Sequence, residues 1–150
     1  MIHFPDQHFG AYILSTEKTR IQLDVVHHFL DQESYWARDI ALDVLKTAIQ
    51  HSLCLGVYLP DGSQVAFGRL ITDYATFGYL ADIFVLPEHR GKAIAKEMMK
   101  YFCDIADQCG LRRLLLTTRD AHGLYGQYGF IALPHPESMM SRMGAAYPSI

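Results

Sequence analysis

Three apolar segments of strand length follow one another in the middle of the chain, and this run constrains the fold more than any other feature. The segments at 52–59 and 64–72 are joined by the turn sequence PDGS, which predicts a hairpin. A third strand, at 79–86, leads into an amphipathic helix, and another strand follows at 112–118. A run of strands followed by a strand-helix-strand unit predicts a mixed sheet with helices packed on its faces.

Weaker strand and helix patterns flank this run on both sides. They predict a strand at 11–16, a helical turn at 24–30, an amphipathic helix at 39–51, a short helix at 121–128 and a last strand at 129–133. Asp24 is a candidate N-cap for the helical turn, and Gly110 marks the expected end of the long helix. The predicted order is β-α-α-β-β-β-α-β-α-β, an α/β (α+β) fold, and the tail at 134–150 is left without an assignment.

Length and composition restrict the class of protein. A chain of 150 residues, half of them hydrophobic and 12% aromatic, is expected to form one domain over 1–150. A formal net charge of −3 gives no support for a nucleic-acid surface, and no run of basic residues suggests a membrane-binding patch. We therefore expect neither a nucleic acid nor a membrane as a partner. A homodimer is one assembly that the sequence allows.

The cysteines and histidines bear on the compartment and on metal binding. Cys54, Cys103 and Cys109 show no CxxC spacing and are expected to be reduced, mostly buried thiols. No apolar stretch approaches the length of a membrane span, and the N-terminal segment lacks the apolar core of a signal peptide. These features predict a cytoplasmic protein. The eight histidines and three cysteines show no zinc-binding spacing, so no metal is expected.

The turn between the strand at 79–86 and the long helix is cationic and contains a glycine, in the sequence Arg90-Gly91-Lys92-Ala93-Ile94-Ala95. The first turn of a helix has N–H groups without partners, and these groups bind phosphate well. Small residues would let an anion approach the backbone, and Arg90 and Lys92 would add positive charge. The turn alone allows two interpretations, an anion-binding site or a solvated basic turn.

The same stretch resembles the acetyl-CoA-binding signature of the GCN5-related N-acetyltransferase (GNAT) family. That signature is Arg or Gln, then two residues of any type, Gly, one residue of any type, and then Gly or Ala. Arg90 and Ala95 match it, whereas Ala93 stands where the family usually has Gly. A second block, DAHGLYGQYGF, resembles a later motif in which a Tyr precedes Gly-Phe by four positions, here Tyr125. The resemblance covers 53–133 well and the first 50 residues in outline. It implies one GNAT domain with a centrally splayed sheet and helices on both faces.

The resemblance implies an acetyl-CoA site on the loop and on the strand before it. The pyrophosphate would rest on backbone amides of the loop, and the pantetheine arm would bond to backbone near Phe84 and Val85. The acetyl group would sit where the parallel strands at 79–86 and 112–118 splay apart. A backbone N–H at a bulge of the strand at 79–86 would polarise the acetyl carbonyl. The expected acetyl-CoA-binding residues are Phe84, Val85, Arg90, Gly91, Lys92, Ala93, Ile94 and Ala95.

The departure from the signature at Ala93 raises a conformational question. A glycine there would be needed if φ is positive or if the pyrophosphate approaches closely. The helical stripe fits from Lys92 onward, so we expect Ala93 to lie in the first helical turn with a negative φ. In that case the methyl group is tolerated, and Ala93→Gly would slightly lower stability.

Three residues are candidates for the chemistry: Tyr125, Asp82 and His122. The family places its general acid at the position of Tyr125, whose phenol could donate a proton to the departing thiolate; the alternative is a Tyr packed on its helix. Strand alternation groups Asp82 with Leu80 and Phe84, and its carboxylate is either a base or amine anchor, or a structural ion pair. His122 is either a base or a cap of the helix start.

The segment SYWARD is the candidate acceptor side, because in this family the segment between the first two helices commonly covers the substrate. Tyr35 and Trp36 would stack on an acceptor or fill the core. Arg38 would interact electrostatically with the acceptor or cap the following helix.

These features together predict an N-acetyltransferase that moves an acetyl group from acetyl-CoA to a primary amine by direct attack in a ternary complex. The expected acceptor is a small-molecule amine, because a compact single domain offers no obvious peptide platform. Two alternatives stay open: a protein or peptide N-acetyltransferase, and a non-catalytic acyl-CoA-binding module.

Overall fold

The computed structural model describes residues 2–145, which contain a mixed six-stranded sheet with its strands side by side in chain order. The strands are β1 (Gln7–Phe9), β2 (Tyr12–Ser15), β3 (Leu53–Tyr58), β4 (Gln64–Thr72), β5 (Phe77–Val85) and β6 (Arg113–Leu116). Neighbouring strands are antiparallel except β5 and β6, which pair in parallel. The predicted mixed sheet and its parallel strand pair are confirmed.

The helices of the described residues are α1 (Leu23–His28), α2 (Leu42–Gln50), α3 (Ile94–Cys109) and α4 (His122–Gly126). A π-helical turn, Phe29–Glu33, continues α1, and an irregular segment leads from it to α2. Gly110 follows α3 with a φ of 67°, so the predicted helix end at this glycine is confirmed. In this part of the chain no helix combines the length and the apolar character that crossing a membrane requires.

The two ends of the described chain differ from the predicted order. β1 forms a hairpin with β2, and its short polar sequence has no apolar alternation that would have predicted a strand. The predicted strand at 129–133 is wrong, since these residues make no sheet pairing. Gly129 has a φ of 87°, which turns the backbone out of the strand conformation. Phe130 then packs against the core while Ile131 stays 78% exposed.

Two helix starts also differ from the prediction. Asp24 lies inside the first turn of α1 and is not its N-cap; Gln22 holds that position without a side-chain hydrogen bond. α2 begins at Leu42 rather than at 39, because Asp39 has a φ of 64°, which a helix does not allow. Arg38 therefore lies outside α2 and does not cap it.

Each face of the sheet buries an apolar cluster. On one face, α3 packs Met98 and Phe102 together with Leu55 of β3. On the other face, Leu45 of α2 packs in a cluster with Cys54. Cys54 and Leu55 are successive residues of one strand and so point to opposite faces. The predicted arrangement of helices on both faces of the sheet is confirmed.

A β-bulge interrupts β5 and changes the direction of its side chains. Asp82 and Ile83 of β5 both lie opposite Gly68 of β4, where the register shifts by one residue. Because the extra residue reverses the alternation, Leu80 joins the cluster under α3 whereas Phe84 joins the opposite cluster. The predicted grouping of Leu80 with Asp82 and Phe84 on one face is therefore wrong.

Candidate active site

β5 and β6 separate part-way along the sheet. Their parallel pairing ends at Leu80 and Leu116, while β5 continues to Val85. Beyond Leu80, the edge of β5 that faced β6 has no strand partner within residues 2–145. The bulge at Asp82 lies at the start of this gap. Unpaired strand backbone needs other hydrogen-bond partners, so this open edge is suited to binding an extended molecule.

The loop after β5 contains a 3-10 turn, Pro87–His89, and two residues with positive φ. Gly91 has a φ of 75° and Ala93 a φ of 63°, and α3 begins directly afterwards at Ile94. The predicted negative φ at Ala93 is wrong, because the helical periodicity was extended from Lys92 into residues that belong to the loop. An alanine is strained in this left-handed conformation, whereas a glycine adopts it readily.

The N-terminus of α3 has no side-chain cap. Ala93 occupies the N-cap position and carries no hydrogen-bonding side chain, which leaves the first-turn N–H groups without a side-chain acceptor. The loop residues Arg90, Gly91, Lys92 and Ala93 are all exposed. Ile94 turns its side chain into the core and so offers only its backbone. This uncapped helix start, flanked by two cations, fits the anion-binding interpretation of the loop.

Side chains next to the loop attach it to the sheet. Arg90 Nε donates a hydrogen bond to the carbonyl oxygen of Val85 at 3.0 Å. The His89 imidazole is hydrogen-bonded to the Tyr12 hydroxyl at 2.9 Å. Phe84 is buried and stacks on Phe29 with 4.0 Å between ring centroids. The contacts of Arg90 and His89 therefore tie the loop to β5 and β2, and the Phe84 stack holds β5 against the π-helical turn.

Asp82 is buried at the bulge and both of its carboxylate oxygens are hydrogen-bonded. Oδ1 accepts from Trp36 Nε1 at 3.0 Å, and Oδ2 accepts from Arg69 Nε at 2.5 Å. Arg69 also donates from a terminal guanidinium nitrogen to Ser52 Oγ at 2.9 Å. The ion pair predicted as one alternative for Asp82 is therefore observed, as its contact with Arg69. The role of Asp82 as a base stays a prediction.

An aromatic cluster contains Tyr35 and Trp36, the residues predicted for the acceptor side. The Tyr35 ring packs edge-on against Trp36 at 5.0 Å between centroids, and the Arg119 guanidinium lies 3.8 Å from the Tyr35 ring centroid. Tyr125 is partly buried, and its hydroxyl makes no hydrogen bond to any residue that the structure describes. Burial raises the pKa of Tyr125, and nearby Tyr35 and Asp120 raise it further.

Two further predicted site residues are exposed. His122 is exposed at the first position of α4, and Ala121 rather than His122 is the N-cap, so its capping alternative is wrong. Arg38 is also exposed. A surface cavity of about 600 Å³ lies over α1, lined in part by His27 and His28, and none of the predicted site residues lines it.

Arg69 and Arg119 are the residues of this region that the sequence prediction missed. Arg69 is the only charged residue of the strand QVAFGRLIT, and Asp82 is the only charged residue of the next strand. Opposite charges in two apolar strands of a hairpin were a usable signal for this pair. Arg119 follows β6 in an irregular segment, and no sequence pattern predicts its contact with Tyr35.

The family of the chain follows from comparison with known proteins. A family model described as the acetyltransferase (GNAT) family matches residues 23–130. The chain belongs to the GNAT family of acetyltransferases. As a member it is an acetyl-CoA-dependent N-acetyltransferase.

Two proteins similar to this acetyltransferase support the assignment, and a third shares its fold. FG08082 of Gibberella zeae, whose acetyltransferase assignment is provisional, is 31% identical over 137 residues, which cover 79% of this chain and 77% of that protein. The crystal structure of xcc2953 from Xanthomonas campestris pv. campestris, provisionally assigned to the same family, is 47% identical with a TM-score of 0.85, covering 89% of this chain and 93% of that chain. Rv2747 from Mycobacterium tuberculosis, solved in complex with CoA, shares the fold at 18% identity and a TM-score of 0.67, covering 80% and 72% of the two chains.

Replacing Ala93 by glycine tests the strain at the loop of this acetyltransferase. Because Ala93 is in the left-handed region, Ala93→Gly should raise the free energy of unfolding by up to about 1 kcal/mol, the reverse of the effect expected for a helical residue. The acetyl-CoA dissociation constant should stay within a few-fold, since glycine keeps the same backbone. Urea denaturation and calorimetry measure the two quantities.

Ala95→Gly is the matched control, because Ala95 lies inside the first turn of α3. It should lower the free energy of unfolding by about 1 kcal/mol. Equal destabilisation by the two substitutions would contradict the left-handed conformation at Ala93.

Proposed function

We propose that this enzyme transfers an acetyl group from acetyl-CoA to the primary amine of a small molecule, by direct attack in a ternary complex. The observation that carries the proposal is the gap between β5 and β6, with an uncapped helix N-terminus on one side and Tyr125 on the helix that follows β6. An amide bond forms as the thioester C–S bond breaks. The amine loses a proton, and the departing thiolate receives one.

The loop before α3 and the edge of β5 are the proposed acetyl-CoA site. First-turn amides of α3 would hold the pyrophosphate, with Arg90 and Lys92 adding positive charge. The unpaired edge of β5 near Phe84 and Val85 would bond to the pantetheine arm. The bulge at Asp82 is where the resemblance expects an N–H donor to the thioester carbonyl. The CoA complex of Rv2747, which has the same fold, supports this proposal.

Tyr125 is the proposed general acid. Its raised pKa keeps the phenol protonated at neutral pH, the form that can donate a proton. Its hydroxyl is not engaged by the described residues, while its ring packs edge-on against Phe130 at 6.0 Å between centroids. A packed ring with a free hydroxyl is suited to a residue that is held in place to donate to a bound molecule.

Direct attack is proposed because the thiols are poorly placed for an acyl-enzyme. Burial raises the pKa of Cys54 to about 11, and its Sγ donates to the carbonyl oxygen of Ile49 at 3.6 Å. Burial also raises the pKa of Cys103, which lines a separate cavity beside Phe130. The thiolate is the nucleophilic form, so neither thiol is activated at neutral pH. The free state of all three cysteines agrees with the proposed cytoplasmic location.

The acceptor is proposed to lie against Tyr35 and Trp36, beyond the open edge of β5. Tyr35 is 45% exposed, so its ring can still contact a bound molecule. Arg38 is exposed on the same segment and is proposed to interact with the charge of the acceptor.

His122 remains a candidate base, because its exposed imidazole lies three residues before Tyr125 on α4. The homodimer stays a prediction.

Acetyl-CoA should raise the melting temperature of the protein, because a ligand that binds only the folded state stabilises it by mass action. Differential scanning fluorimetry with and without millimolar acetyl-CoA measures the shift. Absence of both a shift and a calorimetric binding signal would rule out the proposed loop site.

Release of the CoA thiol with a panel of amines tests the acceptor class. We expect turnover with one or more small primary amines and none with peptides. Turnover with peptides alone would replace the small-molecule proposal by peptide N-acetylation.

Tyr125→Phe tests the proposed acid. With a verified acceptor, kcat should fall roughly 100-fold, and the dissociation constant of acetyl-CoA should change little. Tyr128→Phe is the matched control, since the Tyr128 hydroxyl is already committed to a hydrogen bond to the Lys96 carbonyl oxygen at 2.9 Å. An unchanged kcat in the Tyr125 variant would assign Tyr125 to packing.

A further inference from the structure

Asp82 occupies a backbone position that usually belongs to glycine. It is the first residue of the bulge and has a φ of 57°, in the left-handed region. Bulges of this kind normally carry glycine there, and aspartate is one of the few other residues that tolerate the conformation. The residue is 8% exposed, so its carboxylate needs partners within the protein.

Arg69 supplies the charged partner and extends the contact to other elements. Its Nε bonds to Asp82 Oδ2, and its second bond goes to Ser52 Oγ, which in turn donates to the carbonyl oxygen of Ala48 at 2.6 Å. The Arg69 side chain is 15% exposed and that of Asp82 is 7% exposed, so solvent and salt screen the pair weakly. One guanidinium therefore connects the bulge to the start of β3 and the end of α2.

The same carboxylate also holds the acceptor side. Asp82 Oδ1 accepts the indole N–H of Trp36, and Trp36 packs against Tyr35. The bulge backbone on the acetyl-CoA side and the aromatic pair on the acceptor side are therefore both attached to Asp82. Asp82 itself depends on Arg69 for its charge compensation.

We infer that Arg69 is a positioning residue for acetyl transfer, acting through the Asp82 carboxylate to hold the bulge of β5 against Trp36. The side-chain hydrogen bonds of Arg69 go to Asp82 and Ser52, so the inference assigns it no contact with substrate and no part in proton transfer. The inference rests on the proposed function, because the bulge matters for the reaction only if the acetyl group binds beside it. Misplacement of a reacting group by about 1 Å is enough to lower a rate by about 100-fold.

Kinetics of Arg69→Gln, with Arg69→Lys beside it, test the inference. We expect Arg69→Gln to lower kcat by about 10- to 100-fold while the acetyl-CoA dissociation constant and the acceptor KM stay within about 3-fold. Arg69→Lys keeps the positive charge beside Asp82 and should restore part of kcat. If Arg69→Gln does not fold, a fall of kcat of at least about 3-fold in Arg69→Lys is the expected result.

Arg20→Gln is the matched control, because Arg20 also forms an ion pair, with Asp6 at 3.1 Å, but outside the gap. It should leave kcat unchanged. Wild-type kcat in the folded Arg69 variants, or an equal loss in Arg20→Gln, would overturn the inference.

A double-mutant cycle shows whether Arg69 acts through Asp82. The kcat of the double variant Arg69→Gln, Asp82→Asn should equal that of the more impaired single variant, because both substitutions break one interaction. If the double variant instead loses kcat by the product of the two single-variant losses, the inference would be overturned.

A ¹H–¹⁵N NMR spectrum gives a readout that needs no acceptor. The amide signals of Asp82 and Ile83 should move in Arg69→Gln and stay in place in Arg20→Gln, and unmoved signals would overturn the inference. Failure of the wild-type enzyme to turn over any amine would instead overturn the proposed function, and with it the catalytic part of the inference. Turnover by the wild type with an unaffected Arg69→Gln variant would overturn the inference alone.

Discussion

The bulge of β5, with Asp82 in the left-handed conformation and paired with Arg69, is the constraint on which the rest of the candidate site depends. The extra residue changes which face each later side chain of β5 points to, so Phe84 packs away from α3. It also lies where β5 loses its parallel partner. A buried carboxylate at such a point would be costly without donors, and the two donors it has come from β4 and from the acceptor-side segment.

The loop before α3 contains a second strained residue, Ala93, at the start of the helix. Ala93 adopts a left-handed conformation that disfavours alanine, and the result is a helix start whose first-turn amides have no side-chain competitor. The strained residues thus flank the open edge of β5, with Asp82 near its start and Ala93 in the loop that follows its end. Strained backbone of this kind persists only where the surrounding contacts hold it, here through the bonds of Arg90 and Arg69.

Local patterns predicted much of the sheet and one side of the site. The hairpin of β3 and β4, the long helix and its glycine end, and the exposed cationic loop were all predicted from turn residues and periodicity. The acceptor side was predicted only as a segment. Arg119 was missed because its partner lies 84 residues away in sequence and no local pattern specifies such a contact. Arg69 was missed although its partner lies only 13 residues away, because the strand pattern gives opposite charges but not the register that pairs them.

The sequence by itself determined the order of the central strands, the crossover helix and the cationic character of the loop, because alternation, turn chemistry and charge are properties of neighbouring residues. Only the tertiary structure decided the φ of Ala93, the absence of the predicted strand at 129–133 among the described residues, and the partners of Asp82. Each of these depends on strand register and on packing between distant segments. A one-residue shift in register turns every following side chain to the other face of the sheet. The periodicity of the sequence does not predict where such a shift occurs.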